Sequence, residues 1–348
     1  MSDFQEDREE VATIEAAIDR LCSGDDLSEG EAETVFAQVV AGTVDDARLS
    51  GLLVALKAKG EAASEMIGAV RALRAAATPF PRPEGLFADT CGTGGDGAGT
   101  INISTAVAFA AAACGLPVVK HGNRSITSRC GSADVLEKLG AKLDLQPEQS
   151  RAVLDASGVC FLFAPHYHPG MRHAAAARKA LGVRTIFNML GPCLNPAVPP
   201  VQIVGVAEPR LIAKIGEVLA SLGCERALIV HGDGLDEVAL HAETEAMRLV
   251  DGSLDWVTLT PEEAGLSRAP IEHLAGGDAD ENARRLQALL GGAGSAAERN
   301  MVAINAGALL VTARLADGLR EGTAMALDAL AGGKAGKRLA AFIEASRG

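Results

Sequence analysis

The chain has 348 residues, enough for two domains, or for one large domain and a smaller companion. Apolar residues make up 48% and aromatics only 3%, so a large core must be built from Ala, Val, Leu and Ile, and a base-stacking surface for single-stranded nucleic acid is disfavoured. Lys and Arg number 32 against 45 Asp and Glu; a formal charge of −13 excludes a generic nucleic-acid binder and requires any small anion to be held locally by Lys, Arg and backbone N–H groups.

Residues 1–77 read as helical: Thr13–Cys22, Ser28–Ala41, Asp45–Lys59 and Ser64–Ala77 carry spaced apolar positions with polar outer faces, and Gly60 separates the last two. The opening stretch MSDFQEDREEVATIE is acidic and lacks the basic-then-apolar order of a signal peptide. The Pro-rich segment PFPRPEG, Pro79–Gly85, is a break and a plausible hinge.

The texture then changes. Short apolar runs at Leu86–Asp89, Pro117–Val119, Val159–Ala164, Gln202–Val206 and Ala227–His231 read as strands. Helical segments at Thr105–Cys114, opened by Ser104 as N-cap, at Ala133–Leu139 and at Leu211–Leu222 alternate with them. Such alternation predicts an α/β domain with a mostly parallel central sheet flanked by helices. Met171–Leu181 reads as a helix that interrupts the alternation, followed by Thr185–Pro196 with a helix-like start, and Ala296–Ala316 and Gly322–Ala345 read as terminal helices. The longest apolar run, Ala106–Val119, is broken by Gly115 and Pro117 and falls short of the ~18–20 residues that span a membrane. The cysteines, at 22, 91, 114, 130, 160, 193 and 224, form no C-x-x-C pair, which fits reduced thiols in a cytoplasm better than a zinc site or a disulfide framework.

Four motifs carry polar chemistry. The first is Asp89-Thr90-Cys91-Gly92-Thr93-Gly94-Gly95-Asp96-Gly97, followed by Thr100-Ile101-Asn102-Ile103-Ser104-Thr105 at the start of a helix. Its glycines remove Cβ obstruction, so backbone N–H groups and the helix N-terminus can face an anion; Ser104 and Thr105 add hydroxyls for phosphate or Mg²⁺. No Gly-Lys-Ser/Thr follows, so it is not a P-loop, and read strictly it is not G-x-G-x-x-G. The second is Lys120-His121-Gly122-Asn123-Arg124, extended by Ser125, Ser128, Arg129, Ser132 and Asp134; three cations within ten residues, after a strand, make either a phosphate seat or a solvated basic loop. The third, His231-Gly232-Asp233-Gly234-Leu235-Asp236-Glu237, offers adjacent carboxylates suited to Mg²⁺ but equally common as solvated surface. The fourth, Phe163-Ala164-Pro165-His166-Tyr167-His168-Pro169 with Arg178, leaves open whether the histidines orient loops and whether Arg178 clamps a carboxylate. Taken bottom-up, these residues imply a Mg²⁺-dependent enzyme acting on a phosphorylated small molecule, with chemistry at a sugar C1 bearing pyrophosphate as one candidate.

In this order the motifs resemble the anthranilate phosphoribosyltransferase family, from about Leu27 to Phe342. The segments GTGGDG (92–97), NIST (102–105), KHGNR (120–124), GSADVLEKLG (131–140), FAPHYHPGM (163–171), RTIFNMLGPCLNP (184–196) and GDGLDE (232–237) carry the likeness, and GLLVALKAKGE (51–61) is also similar. Cys130 stands where a serine or lysine-type residue is frequent, and Cys193 where leucine is usual; neither removes an implied ligand. The resemblance implies a small all-helical domain over 1–85, with 171–196 packing on it, and a larger α/β domain over 86–170 and 197–348, with the active site between them. It also implies a homodimer through helical-domain surfaces. Phosphoribosyl pyrophosphate would be bound by Gly92, Gly95, Asp96, Thr100, Asn102, Ile103, Ser104, Thr105, Lys120, His121, Gly122, Asn123 and Ser132. Anthranilate would meet Gly92, Asn123, His168 and Arg178, and Ser104, Asp236 and Glu237 would hold Mg²⁺. An aromatic amine is already a free-base nucleophile, so no residue is assigned as acid or base. A pyrimidine nucleoside phosphorylase, a paralogue accepting another aromatic amine and a non-enzymatic sugar-phosphate-binding regulator are the alternatives; GTGGD followed by NIST and KHGNR disfavours the first, the sugar-phosphate motifs would be unchanged in the second, and the intact metal-ligand set disfavours the third.

Overall fold

The computed structural model describes residues 13–125 and 129–348, so the acidic N-terminal stretch before Thr13, and Ser128, lie outside the described residues. The chain divides into two compact units, one of the described residues up to Ala76 with Gly170–Phe187, the other of Ala77–Pro169 with Asn188–Gly348. Compared with the expected division, residues 77–85 and 188–196 fall to the second unit. The Pro-rich break is the reason at 77–85: an extended Pro-rich run cannot continue a helix and serves as the lead into the first strand.

In the first unit the four expected helices form as Ile14–Cys22, Glu29–Ala41, Asp46–Lys59 and Ala63–Ala75. Their starts follow from side-chain chemistry. Thr13, Ser28 and Asp45 each accept a backbone N–H of the following first turn, and Ser28 with Glu31 completes a capping box. The returning segment is not one helix as expected. Pro169–Ala174 is a 3-10 turn and only Ala175–Leu181 is α-helical. Within this unit Gly170 lies against the Val40 carbonyl at 2.8 Å from where a Cβ would sit, and Phe187 packs edge-on to Phe36 at 5.7 Å.

The second unit is built on a seven-stranded sheet: β1 (Ala88–Gly92), β2 (Val118–Gly122), β3 (Val159–Phe163), β4 (Val201–Gly205), β5 (Arg226–His231), β6 (Thr244–Val250) and β7 (Ser253–Leu259). The order is β3-β2-β1-β4-β5-β6-β7, with β1 to β5 parallel and β6 and β7 antiparallel. The hairpin β6–β7 is absent from the sequence reading because its alternating burial, with Glu245 and Arg248 exposed, lacks the continuous apolar run that marks the inner strands. The strands β1 and β2 reach further than their apolar runs, taking in Cys91-Gly92 and Lys120-His121-Gly122. Helices cover the sheet. The most buried is Ile103–Ala113, whose alanines pack against Ala296–Thr312 and, through Phe109, edge-on to Phe342 at 5.5 Å. The expected 322–345 helix is two, Leu319–Ala331 and Lys334–Arg347, divided by Gly332 and Gly333, the latter in the left-handed region at φ 64. No helix among the described residues is long and apolar enough to cross a membrane.

Candidate active site

Because β1 to β5 are parallel, their carboxyl ends share one edge. The chain leaves β1 toward β2 and β3 on one side, then returns to β4 on the other, so the order reverses between β1 and β4. At such a reversal the loops diverge and leave a crevice, the preferred ligand position in open α/β sheets. The glycine loop follows β1 directly there. Thr93 N–H donates to the Gly205 carbonyl at the end of β4 over 2.9 Å, and Ala207 N–H donates to Thr93 Oγ1 over 3.1 Å. Gly94, Gly95 and Gly97 lie in the left-handed region at φ 62, 82 and 74, a path closed to most residues.

The acidic loop after β5 folds onto this glycine loop. Gly94 N–H donates to Asp236 Oδ2 over 2.8 Å, and Ser104 Oγ donates to Glu237 Oε1 over 2.5 Å. A Cβ on Gly92 would collide with the Asp236 carboxylate, and one on Gly205 with the Asp236 backbone carbonyl, so glycine at both positions is what lets the acidic loop come this close. His231 fixes the start of that loop: its Nδ1 bonds the Val206 carbonyl over 2.9 Å, which leaves Nε2 to accept Gly234 N–H over 3.2 Å. The carboxylates are crowded. Burial, then the charge of Asp96, pushes Asp236 up to about 7; burial, then the charge of Asp236, pushes Glu237 up to about 8. Among the described residues no three His, Cys, Asp or Glu side chains converge as a closed metal cage. Two crowded carboxylates with an adjacent hydroxyl suit a hard cation that keeps waters and substrate phosphate oxygens, which is the preference of Mg²⁺.

Lys120, expected on a loop, is the third residue of β2 and is buried at 4% exposure. Its ammonium donates to the Thr90 carbonyl of the neighbouring strand and opposes the burial that pushes Asp89 up to about 6. Asp89 is held by Thr90 N–H at 2.7 Å, His121 N–H at 3.3 Å and Asn195 Nδ2 at 2.8 Å, and Asn195 also donates to the Val119 carbonyl at 2.8 Å. Lys120 is thus the cation placed beside the acidic pair, lowering the protonation of Glu237 by its charge. Arg124 is not part of that seat. It is ion-paired with Glu137 at 2.6 Å and stacks over the Phe163 ring at 4.7 Å.

Ser104 is not the helix cap. The helix begins at Ile103 after Asn102, so Ser104 lies in its first turn, and Ala106 N–H to the Asn102 carbonyl at 3.1 Å is its first bond. The Ser104 and Thr105 N–H groups precede that bond and have no intrahelical acceptor, which suits an anion. Ile103 offers less than expected: its N–H bonds the Ile101 carbonyl at 2.8 Å and its side chain lies in the core. Ser132 Oγ donates to the Asn123 carbonyl over 3.3 Å, and Asp134 accepts the Ser125 and Gly131 N–H groups at 3.0 and 2.8 Å, which closes the loop after β2. A Cβ on Gly122 would meet the Phe161 ring at 2.6 Å.

His121 and His168 stack edge-on at 5.2 Å, and both ring edges address the 191–194 turn, through the Gly191 carbonyl at 3.3 Å and the Leu194 carbonyl at 2.9 Å. Arg178 lies in the helical unit, stacked over Phe187 at 5.4 Å; burial lowers its pKa, and no described carboxylate pairs with it. Sequence reading missed the segment 271–282, which bonds Thr100 and Asn102 and is taken up below. Asp89 and Asn195 both stand in motifs read from the sequence but were given no role, because nothing local to either motif signals their shared bond.

Comparison with known proteins gives a consistent picture. Residues 84–336 match the glycosyl transferase family a/b domain, and residues 15–77 match the glycosyl transferase family helical bundle domain. The chain is 55% identical over 334 residues to the anthranilate phosphoribosyltransferase of Sorangium cellulosum, covering 96% of each chain. It superposes on the crystal structure of anthranilate phosphoribosyltransferase from Thermus thermophilus with TM-score 0.90 at 43% identity, covering 95% of this chain and 99% of that one. It also resembles, with TM-score 0.89 at 26% identity and covering 97% and 98% of the two chains, the Saccharomyces cerevisiae enzyme solved in complex with phosphoribosyl pyrophosphate and Mg.

Proposed function

The chain belongs to the anthranilate phosphoribosyltransferases of the glycosyl transferase family, and from that premise we propose how its own residues perform the reaction. The enzyme transfers the phosphoribosyl group of phosphoribosyl pyrophosphate to the amine of anthranilate, giving N-(5-phosphoribosyl)anthranilate and pyrophosphate, in tryptophan biosynthesis. The amine attacks C1 of the ribose, the C1–oxygen bond to pyrophosphate breaks, and the amine loses a proton.

Negative charge develops on the departing pyrophosphate. Bound Mg²⁺ would neutralise part of it, and Asp236 and Glu237, with Ser104, are the residues to hold the ion. Gly95 and the N–H groups of Ser104 and Thr105 face the phosphates, with Lys120 as the nearby ammonium. Gly92, Asp96, Thr100, Asn102, Ile103, His121, Gly122, Asn123 and Ser132 complete the surround of phosphoribosyl pyrophosphate. Anthranilate is met by Gly92, Asn123 and His168, and Arg178 receives its carboxylate through a charge-assisted pair. Holding amine and C1 in register supplies much of the remaining acceleration, since the nucleophile needs no activation.

The observation that carries this assignment is the Gly94 to Asp236 bond at 2.8 Å, which brings the phosphate-type loop and the carboxylate loop together. Mixing the protein with Mg²⁺, phosphoribosyl pyrophosphate and anthranilate, and following the loss of anthranilate fluorescence, tests the reading; the signal should fall only when all three are present. Phosphorolysis of thymidine or uridine with no anthranilate turnover would overturn it. The same reading makes the chain a cytoplasmic homodimer joined through the helical unit. Light scattering tests that state, since a dimer reads as a doubled mass.

A further inference from the structure

The stretch between β7 and Ala296–Thr312 carries no expected role, yet it grips the segment leading into the Ile103–Ala113 helix. Ile101 N–H donates to the Leu274 carbonyl over 2.9 Å, Gly276 N–H donates to the Gly99 carbonyl over 2.7 Å, and Thr100 and Ala275 form an antiparallel bridge. Arg285 holds the far side, donating to the Ala275 carbonyl at 2.5 Å and to Glu298 at 2.8 Å. At the end of this clamp Asn282, 3% exposed, accepts Gly277 N–H over 2.8 Å and donates from Nδ2 to Asn102 Oδ1 over 3.0 Å. Asn102 donates from its own Nδ2 to the Cys130 carbonyl over 3.2 Å.

Two side-chain amides therefore lie in series between two backbone groups of fixed polarity. Gly277 offers an N–H, so Asn282 turns its oxygen to it and its nitrogen to Asn102. Cys130 offers a carbonyl, so Asn102 turns its nitrogen to it and its oxygen to Asn282. Neither amide can flip without setting a donor against a donor or an acceptor against an acceptor. The Asn102 oxygen is further covered by Cys130 Sγ at 3.5 Å. What Asn102 has left is one N–H, and a phosphate oxygen can only accept.

We propose that Asn282 is a positioning residue for phosphoribosyl pyrophosphate: it locks the Asn102 amide with its nitrogen available to the substrate and its oxygen turned away. The inference rests on the reading of Asn102 as a substrate ligand. Asn282 touches no substrate and acts only through Asn102.

Steady-state kinetics with each substrate varied at saturating levels of the other provide the test. Asn282→Ala should raise KM for phosphoribosyl pyrophosphate by about three- to tenfold, the range expected for one misdirected hydrogen bond, and leave kcat and KM for anthranilate nearly unchanged. Asn102→Ala should raise the same KM at least as much, and the double variant should be no worse than Asn102→Ala. Multiplicative effects in the double variant, or equal rises in both KM values, would show a general structural role and overturn the proposal. An active Asn102→Ala with unchanged KM would strike the ligand reading itself and the inference with it. A silent Asn282→Ala beside an impaired Asn102→Ala would strike the inference alone. Should Asn282→Ala not yield folded protein, Asn282→Asp keeps the acceptor for Gly277 while facing Asn102 with oxygen. It should cost about tenfold or more in that KM, and the cost should vanish in the Asn102→Ala background. A cost that persisted there would be charge repulsion and would also overturn the proposal.

Discussion

Gly92 has no room for a side chain because Asp236 Oδ2 lies 2.3 Å from where its Cβ would sit. Two residues far apart in sequence thereby set the spacing between the end of β1 and the loop after β5, and with it the place where charge is concentrated. Gly92→Ala should displace the carboxylate rather than unfold the sheet, so the Mg²⁺ concentration for half-maximal rate should rise and kcat/KM fall by about tenfold or more, measured by anthranilate fluorescence across a Mg²⁺ titration. Gly205→Ala meets the Asp236 backbone carbonyl, which has no such freedom to swing, and should cost about 1–3 kcal/mol in urea unfolding.

Removing the acidic pair gives a sharper result. Asp236→Asn with Glu237→Gln keeps shape and most hydrogen bonding but deletes both charges. Turnover should drop by roughly 100-fold or more and lose most of its Mg²⁺ dependence. Wild-type rates at low Mg²⁺ would exclude the metal role. Because the crowded carboxylates are relieved of mutual repulsion, the metal-free double variant should be at least as stable as the parent at pH 8.

The pH dependence has a definite sign. Asp236, with an ordinary value of 3.8, stands at about 7, and Glu237, with an ordinary value of 4.5, at about 8. Both are raised in the fold, so the native state without metal binds more protons than the unfolded chain between about pH 4 and 8. The contribution of these groups to stability is therefore present below the ordinary values and lost as pH rises through 7 to 8. Mg²⁺ competes with those protons. Its apparent affinity should weaken as pH falls from 8.5 to 6, about tenfold per unit where one proton must leave, and its stabilisation of the melting temperature should be larger at pH 8 than at pH 6. A pH-independent Mg²⁺ affinity over that window would contradict the arrangement.

Arg178 supplies a separate test on the anthranilate side. The guanidinium is partly buried, stacked on Phe187, and free of a described carboxylate partner. Arg178→Ala should raise KM for anthranilate by about 10- to 100-fold and leave KM for phosphoribosyl pyrophosphate close to the parent value. Phe187→Leu, which removes the stacking surface but not the charge, should have a smaller effect in the same direction. A change confined to phosphoribosyl pyrophosphate would reverse the assignment.

Much of this protein was legible in its residues. The helix starts at Thr13, Ser28 and Asp45 were readable because capping is local chemistry, and β3 and β5 because parallel strands covered on both faces are continuous apolar runs. The glycine, cationic and acidic motifs were visible as patterns, since each concentrates residue types with one purpose over a few positions. What the residues could not state was which of those charges meet. Arg124 reads as strongly as Lys120, yet Arg124 is spent on Glu137 while Lys120 lies buried beside Thr90 and Asp89. Ser104 reads as a helix cap, and its hydroxyl bonds Glu237 instead.

Taken alone, the sequence determined where the first three helices begin, that the larger unit is a mostly parallel α/β layer, and the likeness of its motifs to one family, because these depend on periodicity, capping and short-range composition. Only the tertiary structure decided that Gly94 bonds Asp236, that Asn282 orients Asn102, and that residues 274–276 clamp the segment 99–101. The reason is that hydrogen bonds between loops are set by sheet order and crossover path. No local pattern encodes which residue, 142 or 180 positions away, will arrive at the other end.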